Sequence, residues 1–163
     1  MKVETTRFGT VEVDDADVLT FTQPILGFAD CTRYIIVKGP AGKSGINWLQ
    51  SVTRPEVAFL VMDPMQVVPD YEVRLPANQV EDLELRDETE AVLLTLVVVP
   101  ANKSEVRTNL RAPIIYNPRR KLAKQVVLYD TEYPVRFYLR RDVREAKARD
   151  EGSGEDAGSN QKN

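Results

Sequence analysis

The chain has 163 residues, 42% hydrophobic and 29% charged, with a formal net charge of −3. That length suits one domain with a real core, and the mild acidity argues against general attraction to nucleic acid or an anionic membrane, though not against a local basic patch. There is no histidine and one cysteine, Cys31. This removes the commonest general base, every Ser-His or Cys-His nucleophile pair, an intrachain disulfide and any zinc site built on cysteine and histidine.

The opening residues, Met1-Lys2-Val3-Glu4-Thr5-Thr6-Arg7, are polar and hold no apolar signal core. Alternation at Val3, Thr5, Val11 and Val13 predicts a hairpin turning around Arg7-Phe8-Gly9-Thr10. Further strands are predicted over residues 18–21, 33–37, 46–52, 57–62 and 71–75. Residues 78–85 read as a short helix, with Val80 and Leu83 facing inward and Asn78 available as a cap. The longest apolar run, 91–99, is apolar on both parities and so expected to be covered on both faces; Thr95 breaks it, and it is too short to span a membrane. A cytoplasmic address is therefore expected. Strands over 112–116, 124–129 and 135–139 complete the set. About ten short strands punctuated by Pro and Gly predict a mainly β, barrel-like single domain with one or two short helices.

The last stretch changes character. Residues 140–150 are highly charged and favour helix, with opposite charges spaced to pair on a solvated surface. Residues 151–163 contain no apolar side chain larger than alanine and are expected to be disordered. The domain division is thus 1–139 for the barrel, 140–150 for a helical extension and 151–163 for a tail.

Several local patterns point to chemistry without completing it. Gly42-Lys43-Ser44 resembles the end of a phosphate-binding loop, but Val37 stands where the first glycine belongs and a strand, not a helix, follows. A hairpin loop is the better reading. Arg119, Arg120, Lys121 and Lys124 form the only basic cluster; it reads as a solvated turn after Asn117-Pro118 or as a contact for phosphate or an acidic partner. No exposed aromatics interleave with it, so single-stranded RNA would lack stacking platforms. The acids at 81, 82, 84, 87, 88 and 90 form either a solvated face or a docking face for a basic partner. Cys31 reads as an inert buried thiol and Trp48 as a core aromatic. No constellation supports an enzyme, and no cofactor or metal is expected.

A set of ordered blocks carries a resemblance. Ile25-Leu26-Gly27-Phe28 is followed by Trp48-Leu49-Gln50-Ser51, then Pro55-Glu56-Val57-Ala58-Phe59-Leu60-Val61 closing at Asp63-Pro64. Pro69-Asp70-Tyr71-Glu72 and Val97-Val98-Val99-Pro100 lead to the run from Thr108 to Asn117. Lys124-Gln125-Val126-Val127-Leu128 and Tyr133-Pro134-Val135-Arg136 finish the pattern. Together they cover about residues 2–139 and resemble the flagellar assembly factor FliW family. One departure is local: the family's Leu-Pro is Ile25-Leu26 here, with Pro24 one step earlier.

The resemblance implies a compact β-barrel that works by partner exchange. It implies binding to flagellin and, alternately, to the carbon storage regulator, a dimeric RNA-binding repressor of flagellin translation, by a protein that is monomeric when free. The expected contact residues are Asp63, Asp70, Glu72, Asn109, Asn117, Lys124 and Gln125, polar positions inside these blocks that a strand core does not need. The bland reading of each is local: turn-forming Asx residues, and an exposed strand start at Lys124. Met62, Met65, Val67 and Val68 add an apolar centre if exposed and core if buried. The alternative is an RNA-binding barrel using the cluster from Arg119 to Lys124.

Overall fold

The computed structural model describes residues 1–39 and 45–139. It contains eleven strands and one short α-helix among those residues. In chain order the strands are β1 (Lys2–Thr5), β2 (Gly9–Glu12), β3 (Leu19–Phe21), β4 (Arg33–Val37), β5 (Ile46–Ser51) and β6 (Ala58–Met62). After helix α1 (Ala77–Val80) come β7 (Val92–Val98), β8 (Arg107–Thr108), β9 (Ile114–Asn117), β10 (Leu122–Gln125) and β11 (Phe137–Tyr138).

β1 and β2 pair as the predicted hairpin, with Thr5 opposite Gly9. Gly9, at φ 70°, takes the left-handed conformation that the turn needs. The hairpin's buried Val3 packs on Val18 and Ile35.

The remaining strands close on themselves. β3 to β7 run as an antiparallel meander, β7 also pairs with β9, β9 with β10, and β10 returns parallel to β3. That circuit is a seven-stranded barrel. β7 achieves it by dividing its length: Val92, Leu93 and Leu94 pair with β9, while Thr95, Leu96 and Val97 pair with β6. Closure leaves fewer free edges, which is how small β proteins avoid pairing with strangers. β8 and β11 extend outward from the far end of β7.

Alternation sorts the side chains. Leu19, Phe21, Tyr34, Leu49, Val61, Ile114 and Ala123 fill one core. Ile115, the next residue along β9, instead joins Val80, Leu83, Val126 and Leu128 in a second cluster. That second cluster lies beneath α1 and the 3-10 turn Glu81–Leu83, so the helical segment is a lid on the outside of the barrel.

Four expectations need correction. Residues 71–75 keep a strand's alternating burial but pair with no other strand. Asn78 lies inside α1; Pro76 holds the cap position and makes no side-chain cap bond. The strand expected over 124–129 is β10, which ends at Gln125, although Val126 N–H still donates to Pro113 C=O and Leu128 N–H to Arg111 C=O. Pro113 has no N–H to return, so the ladder thins there. Trp48 is only partly buried, with the Arg7 guanidinium 4.2 Å from its ring centroid and Phe8 edge-on. The Gly42-Lys43-Ser44 loop and the extension and tail over 140–163 lie outside the described residues. No helix among the described residues is long and apolar enough to cross a membrane.

Candidate protein-binding site

The acidic run and the basic cluster meet each other. Arg119 Nε lies 2.7 Å from Glu90, Arg120 Nε 2.9 Å from Glu84, and Lys124 Nζ 3.2 Å from Asp82. Three of the cluster's four cations are thereby paired within the chain. The hydrogen bond from Arg119 holds the Glu90 carboxyl below the usual glutamate range, and raises the Arg119 guanidinium in return.

Asn117 is the centre of this clasp. It is fully buried, and its Nδ2 donates to the carbonyls of Leu83 (2.9 Å) and Glu84 (3.1 Å). Its Oδ1 accepts from the backbone N–H groups of Arg119 and Arg120. One amide therefore shapes the basic turn and anchors the end of the lid, where Glu84 sits at φ 57°. Lys124 is 8% exposed and also donates from Nζ to Gln79 C=O at 2.6 Å, pinning α1 to the barrel. Gln125 donates to Ala112 C=O, and Asn109 Oδ1 accepts from the N–H groups of Arg111 and Ala112. These four residues spend polar atoms on the chain's own backbone.

Asp63 caps the 3-10 turn Pro64–Gln66 by accepting from Met65 N–H. Met62 is buried with Val97 and Leu139, and Val67 packs on them, while Met65 is exposed. Asp70 and Glu72 lie elsewhere, on one wall of an open groove of about 1640 Å³. That wall is residues 70–76, backed by Gln79 and Glu88; the opposite wall is residues 127–133. The structure thus brings Asp70 and Glu72 together, puts Lys124 and Gln125 on the strand that leads into the far wall, and leaves Asp63 apart.

The groove is framed by two clips. At one end Tyr71 and Tyr133 stack with ring centroids 4.6 Å apart. Tyr71 Oη donates to Leu110 C=O, and Tyr133 Oη accepts from Glu72 N–H. Burial pushes the Tyr71 phenol up, and the neighbouring Tyr133 adds to the shift, so it remains a donor. Arg111 braces the same end by donating to the carbonyls of Thr131 and Tyr133. The other clip is the bond from Lys124 to Gln79. Between them Val73 and Leu75 pack into the second core, and Val127 and Tyr129 are exposed.

With this architecture in view, comparison with known proteins is decisive. The family model described as FliW protein matches residues 2–139. The chain belongs to the FliW family. A relative from Ruminiclostridium cellulolyticum named flagellar assembly factor FliW is 37% identical over 139 residues, 85% of this chain and 94% of that protein. Another of the same name, from Geobacter sulfurreducens, is 40% identical over 138 residues, 82% of this chain and 86% of that one. A crystal structure of the flagellar assembly factor FliW superposes with a TM-score of 0.77 at 29% identity, covering 85% of this chain and 96% of that chain.

The departure from the family pattern at Ile25-Leu26 is accommodated without distortion. Ile25 is buried, Leu26 is 92% exposed, and Phe28 N–H donates to Ile25 C=O. Gly27, at φ 92°, supplies the positive φ that a type II turn needs at its third position. Leu26 therefore occupies the second position, which a proline favours but does not have to fill.

The groove's far wall, with Val127, Tyr129, Asp130 and Glu132, escaped the sequence reading. One signal was available: alternation along 124–129 puts Val127 and Tyr129 on the face opposite Val126 and Leu128.

Proposed function

We propose that this chain is a cytoplasmic flagellar assembly factor that acts by binding and has no catalysis of its own. It binds flagellin and, in exchange, the carbon storage regulator, so that export of flagellin frees it to lift repression of flagellin translation. The observation that carries this reading is the FliW match across residues 2–139. Partner exchange by mass action needs only two affinities of similar size and an exposed protein-binding surface.

The ion pairs favour protein over RNA as the direct partner. Arg119, Arg120 and Lys124, three of the four cations an RNA site would use, already face carboxylates. Among the residues expected to make contacts, Asp63, Asp70 and Glu72 are exposed and serve as contact residues. Asn109, Asn117, Lys124 and Gln125 act by holding the walls and turns in place.

Calorimetric titration of the purified protein with flagellin, and separately with the carbon storage regulator, tests the reading. Binding to both with mutual displacement is the expected result. Binding to flagellin alone would remove the regulatory arm, and a folded protein that binds neither would overturn the reading.

A further inference from the structure

We propose that the groove between residues 70–76 and 127–133 takes an extended, lysine- or arginine-bearing segment of a protein partner, added as an extra strand along Val127 and Tyr129. The inference deepens the protein-binding reading and rests on it only in taking the occupant to be a protein.

Backbone geometry comes first. Val126 and Leu128 donate to Pro113 and Arg111, continuing the register in which Gln125 faces Ile114. In an antiparallel pair, alternate residues direct their N–H and C=O groups to opposite edges. Val127 and Tyr129 therefore present theirs to the other edge. β3 covers that edge of β10 only as far as the bond from Thr22 N–H to Ala123 C=O. Beyond it, neither Val127 nor Tyr129 makes a backbone hydrogen bond to any described residue. Across the groove, Val73, Arg74 and Leu75 likewise make none, although their burial alternates as in a strand. Two stretches of unpaired backbone thus line one groove, which is the geometry that strand addition uses.

Side chains say what kind of strand fits. Val127 is 46% exposed and Tyr129 81%, so an incoming strand meets an apolar and an aromatic anchor. Around them stand five exposed carboxylates, Asp70, Glu72, Glu88, Asp130 and Glu132, against one cation, Arg74. None of the five has an ion-pair partner among the described residues, in contrast to Asp82, Glu84 and Glu90 close by. Basic side chains on the occupant relieve that repulsion, and an acidic segment is rejected by it.

The test uses isotope-labelled full-length protein and a short blocked peptide alternating lysine with valine. Amide shifts are expected at residues 73–75 and 127–129, with affinity that falls as salt rises. The double variant Asp70→Asn/Glu132→Gln is expected to bind about tenfold more weakly. N-methylation of every second peptide amide keeps the charges and most of the side-chain contacts but removes the donors, and it is expected to abolish binding in one of the two registers. Shifts mapped elsewhere, equal binding of a glutamate–valine peptide, or unimpaired binding of both N-methyl registers would overturn the proposal. So would groove shifts that appear on concentrating the protein alone, which assign the edge to a second copy. If the peptide seats but neither flagellin nor the carbon storage regulator binds, the functional reading fails and the groove stands. If flagellin and the carbon storage regulator both bind the double variant with unchanged affinity, the groove falls and the function stands.

Discussion

Two regions of this barrel are acidic, and they differ in one respect. The clasp over residues 81–90 has carboxylates at Asp82, Glu84 and Glu90 that each meet a cation from the turn after Asn117 or from β10. The groove has five, Asp70, Glu72, Asp130, Glu132 and, from that same run, Glu88, that meet none among the described residues. Charge density alone does not separate them; the pairing of Asp82, Glu84 and Glu90 does. A paired acid is tied into the fold, whereas an unpaired acid beside unpaired backbone is what we propose a partner meets. The clasp should therefore be sensitive in stability and the groove in binding.

The largest effect is expected at Asn117. Asn117→Ala removes four hydrogen bonds and strands the buried Leu83 carbonyl at the lid and part-buried N–H groups of Arg119 and Arg120 at the turn. A loss of about 3 kcal/mol is expected in urea unfolding. A loss below about 1 kcal/mol would mean that water replaces the amide and the clasp is looser than its geometry. Lys124→Ala comes next, because it leaves Gln79 C=O and Asp82 without their cation. About 2 kcal/mol is expected. Lys124→Met, which keeps the buried stem, should recover part of that loss if packing contributes.

The barrel was largely legible because alternation reports which face of a strand is buried. Val3, Phe21, Tyr34, Leu49, Val61 and Ile114 all fall on buried faces within predicted strands. What alternation does not report is whether the backbone has a neighbour. Residues 71–75 have the side-chain environment of a strand and lack the ladder, so the same pattern misled about pairing. The two-residue β8 is too short to carry any period. Polar candidates were the least legible. Asn117 and Lys124 read as exposed positions, yet their partners Leu83 and Gln79 lie 34 and 45 residues away. Only the fold decides whether a polar residue faces solvent or a distant carbonyl.

Acid titration sharpens the comparison further. Arg119 depresses the Glu90 pKa in the folded state, so between the folded and unfolded values the unfolded chain binds more protons. The contribution is fully present above the usual glutamate range and is lost as pH falls through the lower, folded value. Glu90→Gln should flatten that part of the stability–pH curve, read by thermal unfolding across the acidic range. An unchanged curve would show that the Arg119 contact is too solvated to matter.

The smallest effect on stability is expected in the groove, and that smallness is informative. Neutralising Asp70 and Glu132 removes two exposed charges with no partner among the described residues. Stability should change by less than about 0.5 kcal/mol, and any change should favour the variant because like-charge repulsion falls. Added salt should narrow the difference, since screening does for the wild type what the substitutions do for the variant. Asp82→Asn, by contrast, removes a carboxylate that Lys124 holds, so it should lower stability where the groove variant does not. If the groove variant loses more than about 1 kcal/mol, its carboxylates belong to the fold after all and the contrast between the two acidic regions collapses. If it loses nothing while partner binding weakens, the unpaired acids are kept for a partner at no benefit to the folded chain itself.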